Sequence, residues 1–341
     1  MFLLLDEQEA ELLAHIEGKR ILVTGGTGSF GRTLVELCLR SSQAKEIAVY
    51  SRDEQKHVAL RREFSDPRLK LVLGDVRDLE RMRQVMRGTH LVFHAAAIKH
   101  VPLTEEHPLE AVQTNVIGCH NVLTAAVEMG VEAVVSLSTD KAVEPVNVMG
   151  MTKALQERLT ASFASRGLRT SIVRYGNVLA SNGSVVPYFL QQLRAGQTVL
   201  PVTDRRMTRF VLTLADSVAL VLHALKAGAN GEIFVLDLPA FRIWDLAEVL
   251  AEEQSSRGHA AQVVEVGIRP GEKLHEALIS SEEMRRASQH GPFWKILHYS
   301  SGEERFTASQ QERSLTSDVV RQLNKGEIHE LLARNSLLPG Q

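Results

Sequence analysis

Ile21-Leu22-Val23-Thr24-Gly25-Gly26-Thr27-Gly28-Ser29-Phe30-Gly31 decides the fold of this chain. Ile21–Val23 reads as a strand, the glycines as a tight turn, and Thr33–Leu39 beyond them has helical spacing. In such a strand-turn-helix unit, glycines bring backbone N–H groups close to a phosphate at the helix N-terminus, where the peptide dipoles favour an anion. Gly25, Thr27, Gly28, Ser29, Phe30 and Gly31 are therefore candidates for cradling the pyrophosphate of a dinucleotide. A glycine turn also occurs as a plain strand-to-helix connection, so the reading depends on its surroundings.

Those surroundings alternate. Apolar strands are predicted at Glu46–Tyr50, Leu69–Leu73, Leu91–His94, Ala133–Leu137 and Ser171–Arg174, with helical patterns such as Leu109–Met129 between them. Strands that are apolar along their whole length and separated by helices predict an α/β fold, a doubly wound parallel sheet covered on both faces. Leu12, Leu13 and Ile16 predict a short lead-in helix ended by Gly18. Beyond Asn177, Ser181-Asn182-Gly183-Ser184 and Val199-Leu200-Pro201 read as loops, and helices such as Asp216–Ala227 stand among shorter strands. The expected division is a lead-in helix over 1–17, a dinucleotide-binding domain over 18–177, and a smaller substrate lobe with a tail over 178–341, the chain being free to cross between the last two. From Ser281 onward charge is scattered with little periodicity.

Composition narrows the function classes. With 39 basic and 41 acidic residues the net charge is −2, which offers no basic stripe for nucleic acid. The 341 residues contain two cysteines, Cys38 and Cys119, in neither metal-ligand nor redox spacing, so a reducing, cytoplasmic compartment is expected and no metal. The N-terminal run Met1-Phe2-Leu3-Leu4-Leu5 meets Asp6-Glu7 and lacks the basic start and length of a signal peptide. No run reaches the roughly 20 apolar residues of a membrane span.

Polar residues gather where the predicted strands end. After the second strand comes Tyr50-Ser51-Arg52-Asp53-Glu54-Gln55-Lys56. Ser51, Arg52 and Lys56 suit the 2′-phosphate of NADP, since a guanidinium offers phosphate a planar fork of donors; alternatively Arg52 is a solvated charge and Asp53 serves NAD. Gly74-Asp75-Val76-Arg77-Asp78 follows the third strand, and its carboxylates fit either an adenine amine, with Asp75 and Val76 against the base, or the cap of a helix beginning near Leu79. His94-Ala95-Ala96-Ala97 ends the fourth strand with side chains small enough for a cofactor to lie against backbone, or simply for packing. Leu137-Ser138-Thr139-Asp140-Lys141 then delivers a hydroxyl, an acid and an amine to the C-terminal edge of the sheet, where ligands bind in such folds. A cap with a surface ion pair is the plainer reading, but it leaves Lys99 and Lys153 nearby unexplained.

Taken in order, Thr-Gly-Gly-Thr-Gly-Ser-Phe-Gly at 24–31, Tyr-Ser-Arg-Asp-Glu at 50–54, Gly-Asp-Val-Arg-Asp at 74–78 and Ala-Ala-Ala-Ile-Lys-His-Val-Pro at 95–102 resemble the extended short-chain dehydrogenase/reductases. Ser-Thr-Asp-Lys-Ala-Val at 138–143, Arg-Tyr-Gly-Asn-Val at 174–178, Met-Thr-Arg-Phe at 207–210 and Arg-Pro-Gly-Glu-Lys-Leu at 269–274 are similar to the UDP-N-acetylglucosamine 4,6-dehydratases within them. The similarity runs from about residue 18 to 280. The Asp6–Gly18 segment resembles the linker that precedes the catalytic domain in membrane-anchored members.

The resemblance implies a redox-neutral dehydration of a nucleotide sugar, with hydride leaving C4 for NADP, water lost across C5 and C6, and hydride returned to C6. It assigns Asp140 the proton for the departing 6-hydroxyl, Lys141 the C5 proton, Thr139 a hydrogen bond near the 4-hydroxyl, and Lys153 the nicotinamide ribose. Tyr175 joins the cofactor residues. Asn177, Arg209, Arg269 and Glu272 fall at positions that contact the diphosphate, uridine or ribose, and Lys99 and His100 lie where the sugar enters. A homo-oligomer is expected. The Tyr-x-x-x-Lys pair of the superfamily reads Met149-Gly150-Met151-Thr152-Lys153 here, and a thioether accepts no proton. A methionine at this place resembles the capsule and O-antigen branch. A UDP-sugar 4-epimerase and a non-catalytic NADP-binding regulatory module are the alternatives: an epimerase needs no acid and base at C5–C6, and the missing tyrosine suits a module that only binds.

Overall fold

The computed structural model describes residues 4–181, 183–298 and 313–340. Met1–Leu3 of the N-terminal run, Asn182 of the predicted loop and part of the tail after Ser281 lie outside the described residues.

The apolar runs form β1 (Arg20–Thr24), β2 (Glu46–Ser51), β3 (Leu69–Leu73), β4 (Leu91–His94), β5 (Ala133–Leu137) and β6 (Arg169–Arg174), each within two residues of its expected bounds. After them come β7 (Asn177–Val178), β8 (Val199–Val202), β9 (Thr208–Leu212), β10 (Asn230–Leu236), β11 (Ala240–Arg242), β12 (Gln262–Glu265), β13 (Ala277–Ile279), β14 (Ala287–His290), β15 (Phe293–Ile296) and β16 (Leu315–Thr316). Nine of them build one sheet in the order β14-β15-β10-β6-β5-β4-β1-β2-β3. β1 to β6 and β10 pair in parallel, and β15 and β14 close one edge antiparallel. This is the doubly wound α/β sheet expected.

Successive strand side chains point to opposite faces, and the cores obey that period. Ile21, Val23, Ile47, Val49, Leu91, Phe93 and Val135 join one core, with Leu34 of helix Ser29–Ser41 and Leu220 of helix Leu214–Ala227. Leu22, Ala48, Tyr50, Val92 and Val134 join the other, with Met82 of helix Leu79–Met86 and Leu123 of helix Gly118–Glu128. Each fully buried side chain of this size contributes about 1.5–3 kcal/mol, so a register slip would cost both cores. The lead-in helix Leu4–Leu13 buries Leu12 and Leu13 in the first core, and Cys38 and Cys119 are both buried.

The predicted helix Leu109–Met129 is continuous from Pro108 to Glu128, but Val112–Ile117 winds as a π-helical stretch. The chain also returns to the main sheet after β9. After β9, a Thr213–Asp216 capping box starts helix Leu214–Ala227, which packs on the main sheet and leads into β10 beside β6. Phe189, Leu200, Leu246, Leu250 and Leu332 form a separate hydrophobic core. The tail, weakly periodic in sequence, supplies the β14–β15 hairpin, β16 and helix Lys325–Arg334. Strands of two to four residues are too short to display a period. No helix of the described residues is long and apolar enough to cross a membrane.

Candidate active site

The glycine turn sits under the end of β4. Gly25 has φ +66°, and a Cβ there would lie 2.8 Å from the Ala96 backbone, so glycine alone lets the turn meet the Ala95–Ala97 segment. Gly28 is the N-cap of helix Ser29–Ser41, and no side chain of the described residues caps that end. A turn flush with small residues, opening on a helix N-terminus without a side-chain cap, fits a dinucleotide pyrophosphate. Thr24 and His94, opposite each other in the β1–β4 register, join Oγ1 to Nδ1 at 2.7 Å, and burial pulls the His94 pKa down to about 3.

At the end of β2 the donors divide their work. Asp53 caps helix Glu54–Glu63 by accepting from the Lys56 N–H, and its carboxylate pairs with the Lys56 ammonium at 3.0 Å. Asp53 is thus engaged within its own helix turn. Thr27 Oγ1 donates to Ser51 Oγ at 3.0 Å, and half-exposed Arg52 reaches Asp75 at 3.4 Å. Of the two carboxylates in the 74–78 segment, Asp78 caps helix Leu79–Met86, whereas Asp75 accepts from the Arg77 backbone and side chain. Gly74 abuts the Tyr50 ring, and Tyr50 Oη donates to the Asp75 carbonyl, fixing that segment beside β2; Val76 is buried behind it.

The catalytic candidates gather past β5. Thr139 caps a single 3₁₀ turn, Asp140–Ala142, and its Oγ1 donates to Asp140 Oδ1 at 2.8 Å. Lys141 Nζ is 3.0 Å from Asp140 Oδ1 and 3.2 Å from Glu276 Oε1. Asp140 is wholly buried and Glu276 is 2% exposed. Asp140 Oδ2 and Glu276 Oε2 each find no hydrogen-bond partner among the described residues. Desolvation raises the Asp140 pKa, while Glu276, although buried, is held low by Lys141, Arg209 and Lys273. Burial thus works against charge on Asp140, while three cations favour it on Glu276.

Burial presses Lys141 toward its neutral form, yet the Asp140 and Glu276 carboxylates outweigh it and raise its pKa. Lys99 and Lys153, which a plain cap leaves unexplained, are not among the main causes of that shift. Lys153 instead points to the Leu137 carbonyl and Gln156 Oε1, and burial draws its pKa down to about 8. Lys99 is lowered by the protein atoms around its ammonium, although much of the side chain is exposed.

Two glycines press the site together. A Cβ on Gly150 would stand 2.2 Å from the Lys141 carbonyl oxygen, and one on Gly176 would stand 2.5 Å from Phe210 Cβ and 3.4 Å from Asp140 Oδ2. Gly150 lies in the first turn of helix Val148–Ser162, capped by Asn147, so Met149 is buried at the same end. Tyr175 lies beside the turn, its carbonyl accepting from the Asp140 N–H, and burial pushes its phenol up, away from use as a base.

The substrate candidates are placed less uniformly. Arg209 is buried, and its guanidinium donates to the carbonyls of Thr208, Lys273 and Leu274, with Nε 3.9 Å from Glu276. Arg269 is exposed, its N–H donating to half-buried Glu272 at 3.3 Å. Asn147 Nδ2 donates to the Gly271 carbonyl and Lys273 Nζ to the Val143 carbonyl, drawing the 269–276 segment over the Asp140 turn. Asn177 lies in β7, and exposed Lys99 and His100 follow the alanines, with His100 Nδ1 accepting from the Leu103 N–H as a helix cap.

Two residues escaped the sequence reading. Asn115, fully buried in the π-helical stretch, accepts from the Ile98 N–H, donates to the Ile98 carbonyl and reaches Thr152 Oγ1, tying the β4 loop to the Met149 helix. An amide inside an apolar helical pattern was its only signal. Glu276 lies two residues past the motif that ends at Leu274, and nothing in its neighbours marked it.

A family model described as polysaccharide biosynthesis protein matches residues 21–298. A protein of Rickettsia canadensis (strain McKiel) named UDP-glucose 4-epimerase is 43% identical over 331 residues, covering 92% of this chain and 95% of its own. The X-ray structure of Pen from Bacillus thuringiensis superposes with a TM-score of 0.88 at 34% identity, over 95% of this chain and 99% of that one. The structure of DesIV from Streptomyces venezuelae, a dTDP-glucose 4,6-dehydratase with NAD bound, gives a TM-score of 0.67 at 26% identity, over 75% and 86%. The fold is that of the extended short-chain dehydrogenase/reductases.

Proposed function

The chain belongs to the polysaccharide biosynthesis protein family, and on that premise we propose that it is a UDP-N-acetylglucosamine 4,6-dehydratase making the UDP-4-keto-6-deoxy sugar for a surface glycan. Retention at C5 is favoured over inversion. NADP, when bound, supplies the hydride acceptor for C4 and the donor for C6. Gly25, Thr27, Gly28, Ser29, Phe30 and Gly31 would hold its pyrophosphate, Ser51, Arg52 and Lys56 its 2′-phosphate, Asp75 and Val76 its adenine, and Ala95–Ala97, Tyr175 and Lys153 its nicotinamide half. The engagement of Asp53 in its helix cap supports NADP over NAD, since the carboxylate that would take a free ribose hydroxyl is occupied.

The observation that carries the reading is the Thr139–Asp140–Lys141 turn past β5. Burial raises the Asp140 pKa against the opposing pull of Lys141 and the Thr139 hydroxyl, which suits a carboxylic acid that protonates the departing O6. Lys141 beside it handles the C5 proton, and Thr139 holds the 4-hydroxyl. Lys99, His100, Asn177, Arg209, Arg269 and Glu272 line the path of the UDP-sugar. Met149 leaves the 4-hydroxyl proton to Asp140, Lys141 or water. The enzyme is taken to be a cytoplasmic homo-oligomer, for which solution scattering showing a monomer would be the counter-result.

The 43% identical relative named UDP-glucose 4-epimerase favours a second reading, a UDP-sugar 4-epimerase. That reaction leaves C5 and C6 untouched and gives the acid and amine nothing to do. Purified protein with NADP and UDP-N-acetylglucosamine in deuterated water separates the two. Dehydration gives a product lighter by one water, with solvent deuterium at C5. Epimerisation gives an isomer of unchanged mass and no deuterium. No conversion despite bound NADP would support a regulatory module.

A further inference from the structure

Glu276 is held by the C-terminal segment and points at Lys141. Its N–H donates to Ser317 Oγ at 3.0 Å and its carbonyl accepts from the Ser317 N–H at 2.8 Å. The next residues, β13, pair with β16 just before Ser317. Ser317 is fully buried, and its Oγ also lies 2.7 Å from Thr208 Oγ1. The carboxylate so fixed faces Lys141 from the Asp140 turn at 3.2 Å and Arg209 from β9 at 3.9 Å. Lys273 approaches from its own segment with Glu144 beyond it, and Asp140 shares the Lys141 ammonium. Oε2 has no hydrogen-bond partner among the described residues, and the buried Glu276 carboxylate makes its closest polar contact there with Lys141.

We propose that Glu276 is a positioning residue for Lys141, fixing the direction of its amine and the pH at which that amine gives up its proton. This deepens the dehydratase reading and rests on it. Before the amine takes hydrogen from C5, an N–H bond of the Lys141 ammonium breaks and its proton goes to water. The freed lone pair then takes the C5 proton, the C5–H electrons form the C5–C6 double bond, and the C6–O6 bond breaks as Asp140 gives O6 its proton. With Asp140 holding the proton for O6, Glu276 is the carboxylate that opposes the first of these events, and it does so without serving the substrate. An opposite charge this close displaces a pKa by about 1–3 units.

The test reads Lys141 directly. With carbon-13 at lysine Cε, and Lys141→Arg to assign its resonance, Lys141 should titrate at least about one pH unit lower in Glu276→Gln than in wild type. The limb on which kcat/KM for dehydration rises as Lys141 loses its proton should move down by the same amount, while Glu276→Asp, which keeps the charge, should hold the wild-type limb and lose rate. An unmoved Lys141 resonance, or a uniform loss of rate at every pH with the limb in place, would overturn the proposal. Should wild type not dehydrate UDP-N-acetylglucosamine, the dehydratase reading fails, and the resonance in the ligand-free protein still decides for or against Glu276. An unfolded Glu276→Gln, recognised by collapsed dispersion, transfers the test to Glu276→Asp, whose Lys141 must then titrate within about half a unit of wild type.

Discussion

Gly150→Ala places one methyl group where helix Val148–Ser162 meets the Asp140 turn. That Cβ would lie 2.2 Å from the Lys141 carbonyl oxygen, 3.1 Å from its carbonyl carbon and 3.1 Å from Pro145 Cβ. An unforced carbon–oxygen contact is about 3.3 Å, so helix and turn must part by roughly 1 Å. Parting them strains the Asn147 side-chain contacts to the Gly150 N–H and the Gly271 carbonyl, both 2.8 Å. Overpacking of this kind costs about 1–3 kcal/mol, and the helix returns up to about 1 kcal/mol from alanine's better propensity. The variant should therefore fold with a modest net loss of about 1–2 kcal/mol. Displacing the acid and the amine by roughly 1 Å should lower dehydration by about 100-fold. Denaturant unfolding measures the first quantity and single-turnover dehydration the second. A Gly150→Ala enzyme as active as wild type and more stable would show that the helix and turn do not need this contact, and would refute the account of the site.

Arg52→Asp should weaken NADP binding by about 10–100-fold while leaving NAD nearly unchanged, because it removes a charge-assisted contact to the 2′-phosphate and adds a repelling carboxylate. Equal losses by calorimetry would reject that role. Met149→Tyr should leave cofactor affinity intact and should not be required for turnover; a wild type that is inert beside a dehydrating tyrosine variant would defeat the mechanism. Glu283, bonded to Arg174 at 2.8 Å through both oxygens, is held down to about 2 against an ordinary 4.5. Its folded pKa is depressed, so its stabilisation is present above 4.5 and is lost as pH falls through 4.5 toward 2. Glu283→Gln should cost on the order of 3 kcal/mol at pH 7, and the gap to wild type should close near pH 2 in urea unfolding. A gap independent of pH would refute the linkage.

Some of this molecule is written in short-range pattern. The strand of Ile21–Val23, the glycines that follow and the apolar strands to Arg174 determine a doubly wound parallel sheet, because a chain with period-two packing on both faces and helices between strands has few other ways to bury its apolar residues. Asp140 and Lys141 were legible for the same reason: residues just past the C-terminal end of a parallel strand lie at the ligand edge whatever else the chain does. The division of Asp75 and Asp78 between arginines and a helix cap was open in sequence, since both suit either role. It was decided by which one stands three residues before the Arg81 N–H in a formed helix.

The charge of Lys141 was decided by tertiary structure alone. Three lysines, at 99, 141 and 153, stand near the sheet edge in sequence order, with nothing local to say what each one meets. Folding turns Lys153 to the Leu137 carbonyl and brings Glu276, 135 residues away, to within 3.2 Å of Lys141. No local pattern announces such a contact, because β16 clamps Glu276 through two strands too short to show a period. The return of helix Leu214–Ala227 and β10 to the main sheet was hidden likewise, since an apolar helix reads the same in either lobe until the surface it buries against exists. Sequence fixes which residues can reach the edge of the sheet, and long-range packing fixes the charge they carry there, because electrostatic environment depends on distance in space and not along the chain.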